Sequence, residues 1–211
     1  MKLTIFGATG GTGEQVVRQA CTGGHDVTAV VRDPTRLAFE APSLQVLAAD
    51  VMDPDAIAPA LEGRDAVISA IGSREARSPT TVCTDSARSI IEAMRQNSVR
   101  RLVVVSNSGM HIDSQDGAFV RAVIKPVLGR VLRHAYADMR HMEELVQATD
   151  LDWTIVRPPR LINAPATGNY RTAINQNVPR ASVITRADLA AHILHTLTDP
   201  TTVRATTSVA R

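Results

Sequence analysis

The sequence predicts one α/β domain: a doubly wound, mainly parallel sheet with helices on both faces. Three observations carry that prediction. Short β-branched runs alternate with helical patterns almost from end to end, a glycine-rich turn joins the first run to the first helix, and the composition suits a packed core. The 211 residues are 44% hydrophobic and 21% charged, with 23 Lys and Arg against 21 Asp and Glu, a formal net charge of +2. That near-balance argues against an electrostatic nucleic-acid binder, and an aromatic content of 3% leaves no base-stacking platform. No apolar run approaches the roughly 20 residues that cross a bilayer, and residues 1–13 pass from a short apolar stretch straight into glycines, unlike a signal peptide. Cys21 and Cys83 are too few for a disulfide framework and lack metal-ligand spacing, so no metal is expected. The expectation is a cytoplasmic protein with neither nucleic acid nor membrane as partner.

Lys2–Phe6 reads as a short apolar strand. Val16, Val17, Ala20 and Cys21 then recur on one helical face, and Gly23-Gly24 ends that helix. The runs 27–31, 44–48, 66–71 and 102–105 have the β-branched character of strands buried on both faces of a parallel sheet. Between the last two, Ser78 and Pro79 read as N-cap and first residue of a long helix with the stripe Cys83, Ala87, Ile90, Ile91 and Met94. A further helix carries Met139, Met142, Leu145, Val146 and Thr149 on one side and leads into a strand over 153–156. Thr185-Arg186-Ala187-Asp188 reads as a capping box for a last helix reaching about Leu197, followed by a strand over 203–209. The least regular stretches follow strands, and in such a sheet they lie at the carboxyl edge. Loops around 107–125 and 158–180 are therefore expected to build the substrate region.

Gly7-Ala8-Thr9-Gly10-Gly11-Thr12-Gly13 follows the first strand and opens the first helix. Its G-x-x-G-x-x-G spacing supplies a turn without Cβ atoms, where backbone N–H groups at a helix N-terminus can approach a pyrophosphate. Strand, turn and helix in that order predict a Rossmann-type dinucleotide site. The second strand ends in Val31-Arg32-Asp33-Pro34-Thr35-Arg36. An acid there would hold the ribose of NAD, and Asp33 is available. Arg32 and Arg36 instead suit the 2′-phosphate of NADPH, and two charge-assisted contacts would favour it by about a hundredfold. NADPH is the expected cofactor. Asp50, after the third strand, would sit beside the adenine or cap a helix before Pro54. Ile71-Gly72, after the fourth, gives the backbone room to pass close to the cofactor.

Phe6-Gly7-Ala8-Thr9-Gly10, Val31-Arg32-Asp33, Gly72-Ser73-Arg74, Ser78-Pro79-Thr80-Thr81-Val82 and Arg157-Pro158-Pro159 together resemble the NADPH-dependent flavin reductases, also called biliverdin-IXβ reductases, among the atypical short-chain dehydrogenase/reductases. The resemblance covers nearly the whole chain. It implies that Gly7, Thr9, Gly10, Gly11, Thr12, Arg32, Thr35, Arg36, Asp50, Val51, Ile71 and Gly72 line the NADPH site. Gly13 completes the glycine turn. Ser108 and the pair Pro158-Pro159 would flank the nicotinamide. Arg160 stands where the mammalian members carry a histidine, and would anchor a phosphate or propionate of the substrate.

Tyr136 and Arg140 approximate the Tyr-x-x-x-Lys pair of many short-chain reductases, but Arg cannot exchange a proton, and the expected reading is an i,i+4 pair on a helix surface. Flavin reduction asks less: hydride passes to a stacked ring, and catalysis is chiefly proximity and orientation. Ser108 is the expected polar group beside the reacting rings, or else caps the strand end. Cys21 reads as core. His192 and His195 read as a solvated or half-buried helix pair, and Arg121, Lys125, Arg130 and Arg133 as a solvated helix face by default, or else as a basic run that would attract an anionic substrate or a membrane surface. The expected function is hydride transfer from NADPH to a flavin or similar planar acceptor. Two alternatives stand beside it: an NmrA-like NADP sensor without turnover, and a ketone reductase or epimerase using Tyr136.

Overall fold

A computed structural model describes residues 1–73 and 78–211; Arg74, in the Gly72-Ser73-Arg74 motif, lies outside the described residues. The strands are β1 (Lys2–Phe6), β2 (Asp26–Val31), β3 (Leu44–Ala48), β4 (Ala66–Ser69), β5 (Arg101–Val105), β6 (Asp152–Arg157), β7 (Arg160–Ile162), β8 (Arg171–Ile174), β9 (Val183–Thr185) and β10 (Ala205–Ala210). The α-helices are α1 (Gly11–Thr22), α2 (Pro54–Ile57), α3 (Val82–Gln96), α4 (Lys125–Val131), α5 (Arg133–Gln147) and α6 (Arg186–Thr196). Eight strands form one sheet in the order β3-β2-β1-β4-β5-β6-β10-β8. Neighbours pair in parallel except β8, which runs antiparallel to β10 at the edge. This is a Rossmann-type α/β fold.

Side chains alternate across each strand, so every central strand feeds two cores. Leu3, Ile5, Val27 and Ala29 face α1 and α6, meeting Val16, Val17, Ala20, Leu189 and Ile193. Phe6, Val30, Val67, Leu102 and Val104 face α3 and α5, meeting Ile90, Ile91, Met94, Met142 and Val146. Cys21 is half-buried and packs against the first of these cores. β1 and β4 are neighbours, and the chain leaves them in opposite directions along the sheet. A crevice at their carboxyl ends follows from that connectivity.

Several elements depart from expectation. α3 begins at Val82, not at Ser78-Pro79, because its cap comes from another helix. Asp138 of α5 accepts from the amides of Cys83 and Thr84, both at 2.9 Å, and from the Thr84 hydroxyl at 2.7 Å. Residues 78–81 are thereby left as loop. β4 stops at Ser69, which places Ile71-Gly72 beyond the strand. The last strand starts at Ala205, after a 3₁₀ turn over Pro200–Thr202. Thr149 lies past the end of α5.

The stretch after β6 is more regular than its sequence suggests. β7 pairs with β9 in a small second sheet, and β8 joins the main sheet. The two candidate substrate loops are also tied together. Lys125 bonds the Asp116 carboxylate and the His111 carbonyl, while Asn177 reaches Asp113 through its amide (2.9 Å) and the His111 carbonyl through its side chain (3.2 Å). Lys125 is consequently buried, which corrects its reading as part of a solvated face. His192 is likewise buried, with its Nε2 3.1 Å from the Thr207 hydroxyl and its ring edge-on to Tyr170, whereas His195 points to solvent.

Candidate functional site

The glycine turn sets the geometry of the crevice. Gly7 has φ +77°, and a Cβ there would lie 2.7 Å from the backbone of Ala70; one on Gly13 would lie 2.2 Å from the Gly7 carbonyl oxygen. Side chains at these two positions would push β1, β4 and α1 apart. The Gly10 amide closes the turn on the Gly7 carbonyl at 2.9 Å, and Glu14 makes the first helical bond to Gly10. The amides of Gly11, Thr12 and Gly13 in the first turn of α1 have no partner among the described residues. They present an unsatisfied positive helix end.

Beside this turn lies a cleft of about 620 Å³. Among the expected site residues, Gly7, Thr9, Gly10, Arg32, Asp50, Val51, Ile71 and Gly72 line it. Phe6, Met52, Ser73, Pro79, Thr80 and Val82 also line it. Pro79 and Thr80 come from the segment read as a helix start, so their role in the wall was hidden until Asp138 proved to cap α3. Gly11, Thr12 and Gly13 form the first turn of α1 and do not line the cleft itself. Thr35 and Arg36 lie outside the wall, exposed in the turn after β2. Asp33 caps that turn, accepting from the Thr35 amide (3.1 Å) and hydroxyl (2.6 Å), and these bonds hold its carboxyl below the usual range. Asp50 accepts from the Met52 amide at 3.0 Å, and the cap before Pro54 is Asp53 instead.

In the sequence Arg186 reads only as part of a capping box. Thr185 does cap α6, accepting from the Asp188 amide at 2.9 Å. The Arg186 side chain crosses the head of α1: a Cβ on Gly11 would sit 2.8 Å from its Cδ and 2.9 Å from its Nε. Its guanidinium bonds Asn163 Oδ1 at 2.6 Å and has no acidic partner among the described residues. A cation thus stands beside two helix N-termini.

A second polar centre lies at the carboxyl edge of β5 and β6. Ser108 is buried, and its amide donates to the Pro158 carbonyl at 2.9 Å, joining the loops that follow the two strands. Ser108, Pro158, Pro159 and Arg160 are absent from the wall of the main cleft, and Arg160 is exposed on β7. Tyr136 is only 4% exposed, which corrects its reading as a surface residue. Its hydroxyl is 2.7 Å from the Cβ position of Gly109, and Arg140 bonds the Met110 carbonyl at 3.0 Å. Burial pushes the Tyr136 phenol up, and Arg140 offsets this in part. Below lies Glu143, bonded twice by Arg157 at 3.0 and 2.6 Å, with His111 Nε2 3.0 Å away. Burial alone would raise the Glu143 carboxyl, but the neighbouring His111, Arg157 and Ser106 prevail and draw it down to about 2. No group of three His, Cys, Asp or Glu able to hold a metal occurs among the described residues.

A family model described as NAD(P)H-binding matches residues 7–200. The chain belongs to the NAD(P)H-binding family. An uncharacterized chloroplastic protein of Arabidopsis thaliana is 31% identical over 186 residues, covering 80% of this chain; the chain spans 62% of that relative's length. Among solved structures, a short-chain dehydrogenase/reductase of Veillonella parvula in complex with NADP superposes with a TM-score of 0.79 at 19% identity, covering 100% of this chain and 94% of that one. An anaerobilin reductase of Escherichia coli O157:H7 does so at 0.76 and 23%, covering 100% and 97%. At these identities the structural likenesses establish the shared fold. Family membership gives the chain its ligand class, a nicotinamide dinucleotide.

Proposed function

We propose that the protein is an NADPH-dependent oxidoreductase that passes hydride to a flavin or similar planar acceptor. The observation that carries this reading is the pairing of a cradle closed to side chains at Gly7 and Gly13 with free amides at Gly11, Thr12 and Gly13. Backbone of this kind fits a pyrophosphate, and Arg186 adds a positive charge beside it. Arg32 on the cleft rim and Arg36 in the following turn would hold the 2′-phosphate, and Thr35 engages one carboxylate oxygen of Asp33. Asp50, Val51, Ile71 and Gly72 would enclose the adenosine half. The nicotinamide, when bound, supplies the hydride. Ser108 would offer a hydroxyl to the acceptor, Pro158 and Pro159 would form a flat wall, and Arg160 would meet an anionic substituent. The NADP complex and the anaerobilin reductase among proteins of this fold are consistent with that assignment.

The ketone reductase or epimerase reading gains one observation, the position of Tyr136 against the turn that carries Ser108. Its burial weakens it as a general acid, since the phenol holds its proton more tightly than in water. The deciding experiment follows NADPH oxidation at 340 nm with FMN, riboflavin and a quinone. Turnover is expected, unchanged in Tyr136→Phe and reduced about tenfold or more in Ser108→Ala. Tight NADP binding without oxidation of NADPH by any acceptor would replace the proposal with a sensor. Loss of activity in Tyr136→Phe would replace it with carbonyl chemistry.

A further inference from the structure

Twelve large apolar side chains are exposed among the described residues, and six of them sit on one helical segment. These are Phe119, Val123, Ile124, Val127, Leu128 and Val131, the first 67% and Val127 57% exposed. A π-helical turn over Val120–Ile124 runs into α4, and positions 119, 123, 127 and 131 recur every fourth residue, along one line. Such spacing normally marks the face a helix buries; here that face looks outward. The inward side is held by Lys125, buried against Asp116 and the His111 carbonyl.

The charges on this segment have one sign. Residues 117–137 contain no Asp or Glu. Lys125 is neutralised by Asp116, while Arg121, Arg130 and Arg133 are exposed and form no ion pair among the described residues. None of the segment lines the main cleft, so the apolar face is not a cover for it. A second copy of the chain is a poor occupant, because a two-fold contact would bring the same three arginines together with no carboxylate between them. An apolar stripe flanked by free cations is complementary to a surface that is apolar at depth and anionic at its rim.

We propose that residues 118–133 dock the protein onto anionic lipid bilayers, with the stripe entering the acyl boundary and the arginines meeting the headgroups. The absence of a spanning helix among the described residues is no obstacle, since an interfacial helix lies in the plane of the bilayer. Because α4 packs against the turn over Ser108–Met110, docking would turn the β5–β6 edge towards the lipid. The proposal does not depend on the oxidoreductase reading.

Sedimentation of the full chain with vesicles of phosphatidylglycerol and phosphatidylcholine (1:1), against phosphatidylcholine alone, tests it. Binding to the anionic vesicles is expected to be about a hundredfold tighter at low salt, from three exposed arginines, and to weaken as salt is raised. Phe119→Ser with Val127→Ser should weaken it at least tenfold, and Arg121→Gln with Arg130→Gln and Arg133→Gln should abolish the preference. All five positions are exposed, and unchanged thermal unfolding would verify that the variants fold. Failure of the wild type to sediment with anionic vesicles, equal affinity for both compositions, or indifference to the apolar substitutions would each overturn the proposal. A dimer in sedimentation equilibrium, dissolved by Phe119→Ser with Val127→Ser while no lipid is bound, would assign the face to a second copy instead.

Discussion

Arg32 and Arg36 show how far a residue can be read before it is seen. The sequence brings two guanidiniums to the end of β2, and the fold puts one on the rim of the cleft and the other in the exposed turn behind it. Asp33, the residue that would favour the unphosphorylated cofactor, has one carboxylate oxygen engaged by Thr35. Arg32→Ala combined with Arg36→Ala is therefore expected to narrow the NADPH/NADH preference by about a hundredfold, measured as the ratio of kcat/KM for the two cofactors. Discrimination that survived the double substitution would remove the basis for the cofactor assignment. Arg186 taught the opposite lesson, because nothing in a capping-box pattern says where its long side chain lies.

At the scale of elements, the polar residues of α5 govern more than its apolar stripe does. Met142 and Val146 bury as their spacing predicts, but Tyr136, Asp138 and Glu143 bury as well. Asp138 caps α3 from another helix and so decides where that helix begins. Glu143 joins α5 to β6 through Arg157 and to the loop after β5 through His111. Removing its charge would leave Arg157 without a carboxylate at a half-closed site. Glu143→Gln is expected to cost about 3 kcal/mol in urea unfolding, whereas Arg88→Gln, which breaks an exposed pair with Asp85, should cost under about 1 kcal/mol. Equal losses would show the Glu143 centre to be incidental.

For the whole molecule, two buried groups point to acid sensitivity. His192 is held neutral by burial, its pKa lowered to about 4 from an ordinary 6.5. The unfolded chain takes up that proton first, so this contribution to stability is complete above pH 6.5 and lost as pH falls towards 4. Glu143, drawn to about 2 from 4.5, contributes above pH 4.5 and loses its contribution between 4.5 and 2. Thermal unfolding should accordingly soften in two stages on acidification. His192→Gln, which keeps a hydrogen-bonding group for Thr207, is expected to flatten the first stage and leave the second. A melting temperature constant from pH 7 to pH 4.5 in the wild type would contradict the first assignment.

The alternation of strands and helices, the glycine turn and several of the residues that line the cleft were legible, because each rests on local periodicity or on the conformational needs of single residues. The start of α3, the strands β7, β8 and β9 and the burial of Tyr136, Lys125 and His192 were not, because each depends on a partner outside its own element. The sequence alone determined that this chain forms a mainly parallel sheet with a glycine turn at its first crossover, since Cβ-free geometry and β-branched burial are written in nearest neighbours. Only the tertiary structure decided which residues wall the cleft, what caps α3, and that α4 shows its apolar side to the outside. Those outcomes follow from which surfaces the packed elements leave for one another, and no local pattern carries that information.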